Sequence, residues 1–304
     1  VIKLVEKNLR EAEKQRLKEL KAEGVEEDNI LPIEKQAGNN KLSAKVEVNE
    51  EESSITMKAS GIAVTFNKKD GTIQQIKNDF GLPIPFSNGP VLVSGNASLK
   101  NILQQKNNDS YSLTMHYSGD LKSVKWTMYN SGWLQMDYEY RVKGKQYFTG
   151  ISFSFPESDI FSAKWLGDGP ANVWKNRLKG GRLDVFERMY NNVLPGDNSW
   201  EHPQFKGYYA DISWIVFNTV DGKFTVVAQE DDLFVRLFDF YGISGPQNYP
   251  ALPCGNISFL DGIPPVGTKL AMGINNHTEK LGPEGELNEM DKPVKRTLYF
   301  YFGL

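Results

Sequence analysis

Residues 134–142 read Leu-Gln-Met-Asp-Tyr-Glu-Tyr-Arg-Val. Leu134, Met136, Tyr138, Tyr140 and Val142 alternate with Gln135, Asp137, Glu139 and Arg141. A period of two puts the apolar set on one face of a strand and the polar set on the other. Ile151, Phe153 and Phe155 repeat the pattern nearby. Turn pairs punctuate such runs at Asp70-Gly71, Ser131-Gly132 and Asp221-Gly222, where glycine supplies the backbone freedom a tight hairpin needs. Further strands are expected at 62–66, 72–76, 111–117, 124–129, 212–217, 224–228, 234–238, 257–260 and 297–302. The alternation begins near residue 46 and no long helical period follows it. Many short strands at this spacing predict an all-β fold, a large antiparallel supersandwich over 46–304.

The leader differs. Val1, Val5, Leu9, Ala12, Leu17 and Leu20 recur at helical spacing before Gly24, which predicts an N-terminal helix over 1–24. It reads as a docking or inter-domain helix, or as a solvated surface helix. Residues 25–45, with Pro32, Gly38 and Asn39-Asn40, read as a linker. Residues 1–52 hold 10 of the 35 basic and 13 of the 38 acidic residues, leaving 25 of each sign for the rest. None of the 36 aromatic residues precedes Phe66. A charged, aromatic-free leader thus precedes an electrically balanced, aromatic-rich body. That balance gives no basic surplus for nucleic acid or an anionic membrane. No apolar run reaches the ~20 residues of a spanning helix. The single Cys254 excludes an internal disulfide framework and a thiolate zinc site.

Four of the six tryptophans, Trp165, Trp174, Trp200 and Trp214, fall within 161–217. Gly167, Gly169-Pro170, Gly180-Gly181, Pro195-Gly196, Pro203 and Gly207 interrupt the same segment. Read as loops, these residues put flat aromatic faces next to Asn, Arg, Asp and Glu. Rings suit the apolar face of a sugar and the polar groups suit its hydroxyls, although buried tryptophan also serves simply as a core anchor.

Trp165-Leu-Gly-Asp-Gly-Pro170, followed by Trp174-Lys-Asn-Arg177, resembles a motif in the C-terminal sandwich of glycoside hydrolase family 2. In the bacterial β-galactosidases of that family the pattern is Trp-x-Gly-x-Gly-Pro, then Tyr-x-Asp-Arg. Here Trp174 stands for Tyr and Asn176 for Asp. Pro203-Gln-Phe-Lys-Gly207, leading to Asp211-Ile-Ser-Trp214, resembles the family's Pro-Gln-Glu-x-Gly and Asp-x-x-Trp stretch, with Phe205 in place of Glu.

The resemblance implies a sandwich related to galactose mutarotase. It acts as the carbohydrate-recognising or scaffolding C-terminal region of a β-galactosidase-like enzyme, beside an upstream catalytic barrel that supplies the two glutamates of retaining hydrolysis. No barrel pattern occurs in this sequence, so no catalytic residue is assigned. The implied partners are a carbohydrate and the upstream catalytic domain. The implied location of the parent is periplasmic or extracellular, and no cofactor is implied. Trp165, Trp174, Asn176, Arg177, Trp200, His202 and Tyr208 are the candidate sugar contacts. In the family a tryptophan near the C-terminus also reaches the active site, whereas residues 271–298 here hold no Phe, Tyr or Trp.

The alternative is a stand-alone mutarotase-like epimerase or carbohydrate-binding protein. An epimerase needs an acid and a base over the sugar, for which His116, or His202 beside Glu201, are the candidates. No His-x-x-x-His spacing exists for a metal. Glu230-Asp231-Asp232 reads as a solvated turn or a hard-cation ligand run, and the former is favoured. No Gly-x-Ser-x-Gly elbow occurs.

Overall fold

The computed structural model describes residues 45–189, 206–238, 255–265, 287–290 and 292–303. The chain divides into two units, Val1–Ala44 and Lys45–Leu304, and every described residue belongs to the second. The predicted N-terminal helix, the linker over 25–44, Trp200, Glu201, His202 and His277 lie outside the described residues.

Twenty strands are described: β1 (Glu47–Glu50), β2 (Ser54–Ala59), β3 (Ile62–Asn67), β4 (Ile73–Lys77), β5 (Pro83–Ile84), β6 (Ser87–Leu92), β7 (Ala97–Lys106), β8 (Ser110–Gly119), β9 (Leu121–Tyr129), β10 (Leu134–Tyr140), β11 (Lys145–Gln146), β12 (Thr149–Ser154), β13 (Ile160–Val173), β14 (Arg182–Met189), β15 (Tyr208–Thr219), β16 (Gly222–Ala228), β17 (Phe234–Leu237), β18 (Ile257–Gly262), β19 (Asn288–Glu289) and β20 (Val294–Tyr301). Among the described residues every ladder is antiparallel.

Two layers enclose the core. One runs β7-β8-β9-β10-β20-β16-β15-β13-β14. The other joins β6-β12-β18-β17 and, beside it, the five-stranded sheet β1-β2-β3-β4-β5. The alternation in the sequence is what builds this. In β3 and β10 every second residue is buried, and the residues between are half-exposed. The inward rows interdigitate. Phe86 meets Phe153, Phe224, Phe300 and Phe302 at centroid distances of 4.6–5.8 Å, and Phe66 meets Trp126 at 5.5 Å. Each such fully buried aromatic side chain contributes about 2–3 kcal/mol of apolar burial. The all-β supersandwich read from the alternation is the observed fold.

One strand belongs to both layers. β15 pairs with β13 at both ends and with β16 from Trp214 onward, but Tyr209 pairs with Val235 of β17 in the opposite layer. The corner is at Asp211, whose φ of 49° lies in the left-handed region, one that Asp tolerates better than most side chains. Ile212 N–H then donates to Leu233 O at 3.0 Å, and Asp232 N–H to Asp211 Oδ1 at 3.3 Å.

The segment read as Gly- and Pro-punctuated loops requires correction. Residues 160–173 form β13, the longest described strand, and 182–189 form β14 against it. Gly167 and Gly169 do not mark turns there. A Cβ at Gly167 would lie 2.7 Å from Ala210 O, and one at Gly169 would lie 2.6 Å from the Phe186 ring. These glycines permit close backbone approach within a strand, a second role glycine plays in sheets.

Candidate functional site

The two sequence motifs meet in space because β13 and β15 are adjacent and antiparallel. Asp168 pairs with Ala210, and Val173 with Tyr208. Asn172 Nδ2 donates to Lys206 O at 2.8 Å. The Lys206 ammonium, half-buried, forms an ion pair with Glu157. Gly207 has φ +71°, and a Cβ there would sit 2.9 Å from Asn172 Cβ and 3.0 Å from the Trp174 ring. The glycine therefore lets the second motif pass directly against the tryptophan of the first. Gly207→Ala is expected to cost about 1–3 kcal/mol in denaturant unfolding, because strain and overlap arise together; an unchanged midpoint would contradict this packing.

Beyond Val173 the chain turns tightly. Arg177 N–H donates to Trp174 O at 2.8 Å, and Lys175 N–H donates to Pro264 O at 3.1 Å. Trp174 is half-buried against a second hydrophobic cluster of Phe148, Val173, Tyr208, Ala210, Phe238, Leu260 and Ile263. Asn176 is half-buried and Arg177 is exposed. Tyr208 is fully buried, with ring centroids 6.3 Å from Phe148 and 5.7 Å from Phe238.

This cluster covers the outer side of β12, β18 and β17. The rows Ile151–Phe259–Val235 and Phe153–Ile257–Leu237 enter the main core. The intervening row, Ser152–Ser258–Arg236, faces the other way. Arg236 is 1% exposed. Its Nε donates to Ser258 Oγ at 3.0 Å, and its Nη2 to Ser152 Oγ at 3.4 Å and to Gly255 O. Its guanidinium also lies 5.7 Å from the Phe238 ring centroid. Arg236 is thus a cation held inside the sheet, whereas the rim of the cluster carries the half-buried Trp174 indole, the Asn176 amide and the exposed Arg177 guanidinium, types suited to hydroxyl-rich or anionic ligands.

Trp165 is placed elsewhere. It is 1% exposed, with Phe186 at 5.5 Å, Tyr209 at 4.9 Å and the Arg188 guanidinium 5.4 Å from its ring centroid. Its Nε1 donates to Asp168 O at 3.2 Å. Arg188 is held by Pro170 O at 3.0 Å and Asn172 Oδ1 at 2.7 Å. Burial pushes the Tyr209 phenol up, and Arg188 partly opposes that shift. In this structure Trp165 and Tyr208 brace the interior, and Trp174, Asn176 and Arg177 form the rim. Sequence reasoning missed Arg236, Ser152 and Ser258. The one available signal was an arginine inside the apolar run Leu233–Phe238.

The outer face of the other layer carries a second polar group. Tyr129 Oη donates to Gln135 Oε1, and Gln135 Nε2 donates to both oxygens of Asp137 at 2.8 and 3.0 Å. Thr297 Oγ1 donates to Asp137 Oδ1 at 2.7 Å, and Thr297 N–H to Glu230 Oε2 at 2.8 Å. Burial first, then the Asp137 charge, pushes Tyr129 up. These groups satisfy one another, as a structural network does. Glu230 and Asp231 accept Arg296 Nη1 through their backbone carbonyls. His116 lies on this same layer, opposite Ser123. Ser123 in turn pairs with Glu139, which puts His116 two strands, about 10 Å, from the carboxylate of its own row.

No protein-family model matches the chain, and no curated protein matches it. Among solved structures, galactose 1-epimerase from Lactobacillus acidophilus NCFM aligns over 85% of this chain and 98% of its own, with a TM-score of 0.50 and 11% identity. At that identity the likeness concerns the fold: a galactose mutarotase-like sandwich. Neither comparison points to glycoside hydrolase family 2 specifically.

Proposed function

We propose that this chain binds carbohydrate through the surface formed by the Trp174–Arg177 turn. The observation that carries this reading is the meeting of the two motifs on adjacent strands, which puts Trp174, Asn176 and Arg177 at the rim of an aromatic cluster. An indole and phenyl rings supply stacking surface, and guanidinium and amide groups supply oriented hydrogen bonds.

Titrating the protein with galactosides and plant-type oligosaccharides, followed by chemical-shift change and calorimetry, tests this. Trp174→Ala and Arg177→Ala are each expected to weaken binding at least tenfold, about 1.4 kcal/mol. Asp137→Ala, on the opposite layer, leaves it unchanged. Absence of binding, or binding indifferent to both rim substitutions, refutes the proposal.

The likeness to a galactose 1-epimerase favours a second reading, anomer interconversion by this chain. Polarimetry separates the two: acceleration of mutarotation that is lost with His116→Ala or His202→Ala supports an epimerase. The finer reading, an accessory region that braces an upstream family 2 barrel, rests on the two motifs alone.

A further inference from the structure

We infer that the glycan taken by the Trp174 turn is an acidic one, a chain containing uronic acid whose carboxylates meet the cations that follow the indole. This rests on the carbohydrate reading above and adds the charge of the ligand to it. Residues 174–182 read Trp-Lys-Asn-Arg-Leu-Lys-Gly-Gly-Arg, four cations in nine residues with no carboxylate among them. The body around them is electrically balanced, so this concentration of one sign is local.

The fold gathers the four cations in one place. Gly169 of β13 pairs with Arg182 of β14, so the residues between form a closed loop at one end of that hairpin. Within it Trp174 and Arg177 form an isolated bridge, and Arg177 N–H donates to Trp174 O at 2.8 Å. Lys175 is half-buried, and Arg177, Lys179 and Arg182 are exposed. Two carboxylates approach. Asp168 lies beside Gly181, where a Cβ would be 3.4 Å from its carboxyl carbon, and Asp184 Oδ2 lies 3.5 Å from Arg182 Nε. The second pair is 75% and 53% exposed, so it is weak.

Hydrogen-bonding capacity then separates acidic from neutral sugars. A neutral sugar's hydroxyls donate as well as accept, and its site must supply acceptors. Lys and Arg side chains only donate, and in 174–182 Asn176 alone carries a side-chain acceptor. A carboxylate only accepts, and its two coplanar oxygens match the guanidinium fork. A uronate ring stacked on the Trp174 indole presents that group to the adjoining cations.

Calorimetric titration of the full chain compares a galacturonic acid oligomer with its methyl ester, which keeps the ring and removes the charge. The acid is expected to bind at least tenfold more tightly at low salt, and added salt at several times that ionic strength narrows the preference at least threefold. Arg177→Gln and Lys179→Gln each narrow it too, whereas Trp174→Ala weakens acid and ester alike. Equal affinity for acid and ester, or a preference indifferent to salt and to both substitutions, overturns the inference and leaves the carbohydrate reading standing. Acid binding untouched by Trp174→Ala reveals plain charge attraction and overturns it as well. If neutral galactosides bind and neither oligomer does, this inference alone fails; if no sugar binds, both fail.

Discussion

Asp261→Ala lowers the unfolding free energy by about 3–5 kcal/mol, the cost of stranding a buried charge. The ion pair of Arg296 and Asp261 joins the two layers, β20 to β18, with side chains only 8% and 5% exposed. Arg296 Nε and Nη2 both lie 2.7 Å from Asp261 Oδ1, and Tyr140 Oη donates to Oδ2 at 2.8 Å. Nη1 donates to the carbonyls of Glu230 at 3.2 Å and Asp231 at 3.0 Å. Burial alone pulls Arg296 down, but Asp261, with Tyr138 and Glu230, outweighs that and leaves it raised. Deleting the carboxylate removes that compensation and leaves the desolvation. The double variant Asp261→Leu with Arg296→Met removes both charges and is expected to cost less than Asp261→Ala alone. Denaturant melts of the three proteins decide the matter. A loss below about 1 kcal/mol for Asp261→Ala would show that water reaches the pair.

Alkaline pH unfolds the protein cooperatively above about pH 11, driven by tyrosines rather than by loss of ion pairs. Burial pushes Tyr117 and Tyr140 far up, with Asp70 and Asp261 respectively adding to the effect, and it holds Tyr138 well above its ordinary value too. These phenols stay neutral in the fold while the unfolded chain ionises near pH 10. The unfolded state then holds fewer protons, so stability is fully present below that pH and falls as pH rises toward the folded values. Each tyrosine contributes about 1.4 kcal/mol per pH unit, so the three give a slope of about 4. Set against a stability of roughly 5–15 kcal/mol, that suffices within a few pH units. The last step of tyrosinate absorbance, that of the buried phenols, should coincide with loss of circular dichroism. Tyr138→Phe is the informative control. Among the described residues the buried Tyr138 Oη has no hydrogen-bond partner, so its removal should flatten the alkaline slope at little cost near neutrality. An alkaline slope left unchanged by Tyr138→Phe would refute the account.

The sheet was legible wherever one face is apolar and the next residue polar. The runs at 62–66, 111–117 and 224–228 fall on strands for that reason, as does 134–140 of the run 134–142. β7 escaped because Ala97–Lys106 is an edge strand that buries little, so no alternation had to be encoded. β13 is hidden because glycine and proline read as turn signals, although Gly167 and Gly169 are there for close contact. At the candidate site the motif residues were visible, but their division was not. Whether an indole is buried like Trp165 or on a rim like Trp174 depends on which neighbour arrives opposite it, and that neighbour is Phe186 in one case and Gly207 in the other. The Ser152–Ser258–Arg236 row joins residues from three separated strands, and such partners leave no local trace in a single sequence.

β20 lies between β16 and β10, and it is the last described strand along the chain. Thr297 meets Asp137 across 160 residues. The nine-strand layer can therefore be joined only after nearly all of its other strands exist. Until then β10 and β16 are two open edges facing a gap, and during synthesis the layer waits as separate halves. Such long-range closure makes folding slow and leaves the half-built sheet vulnerable to pairing with other chains. The strand that completes the architecture is also the one whose late arrival sets the pace of assembly.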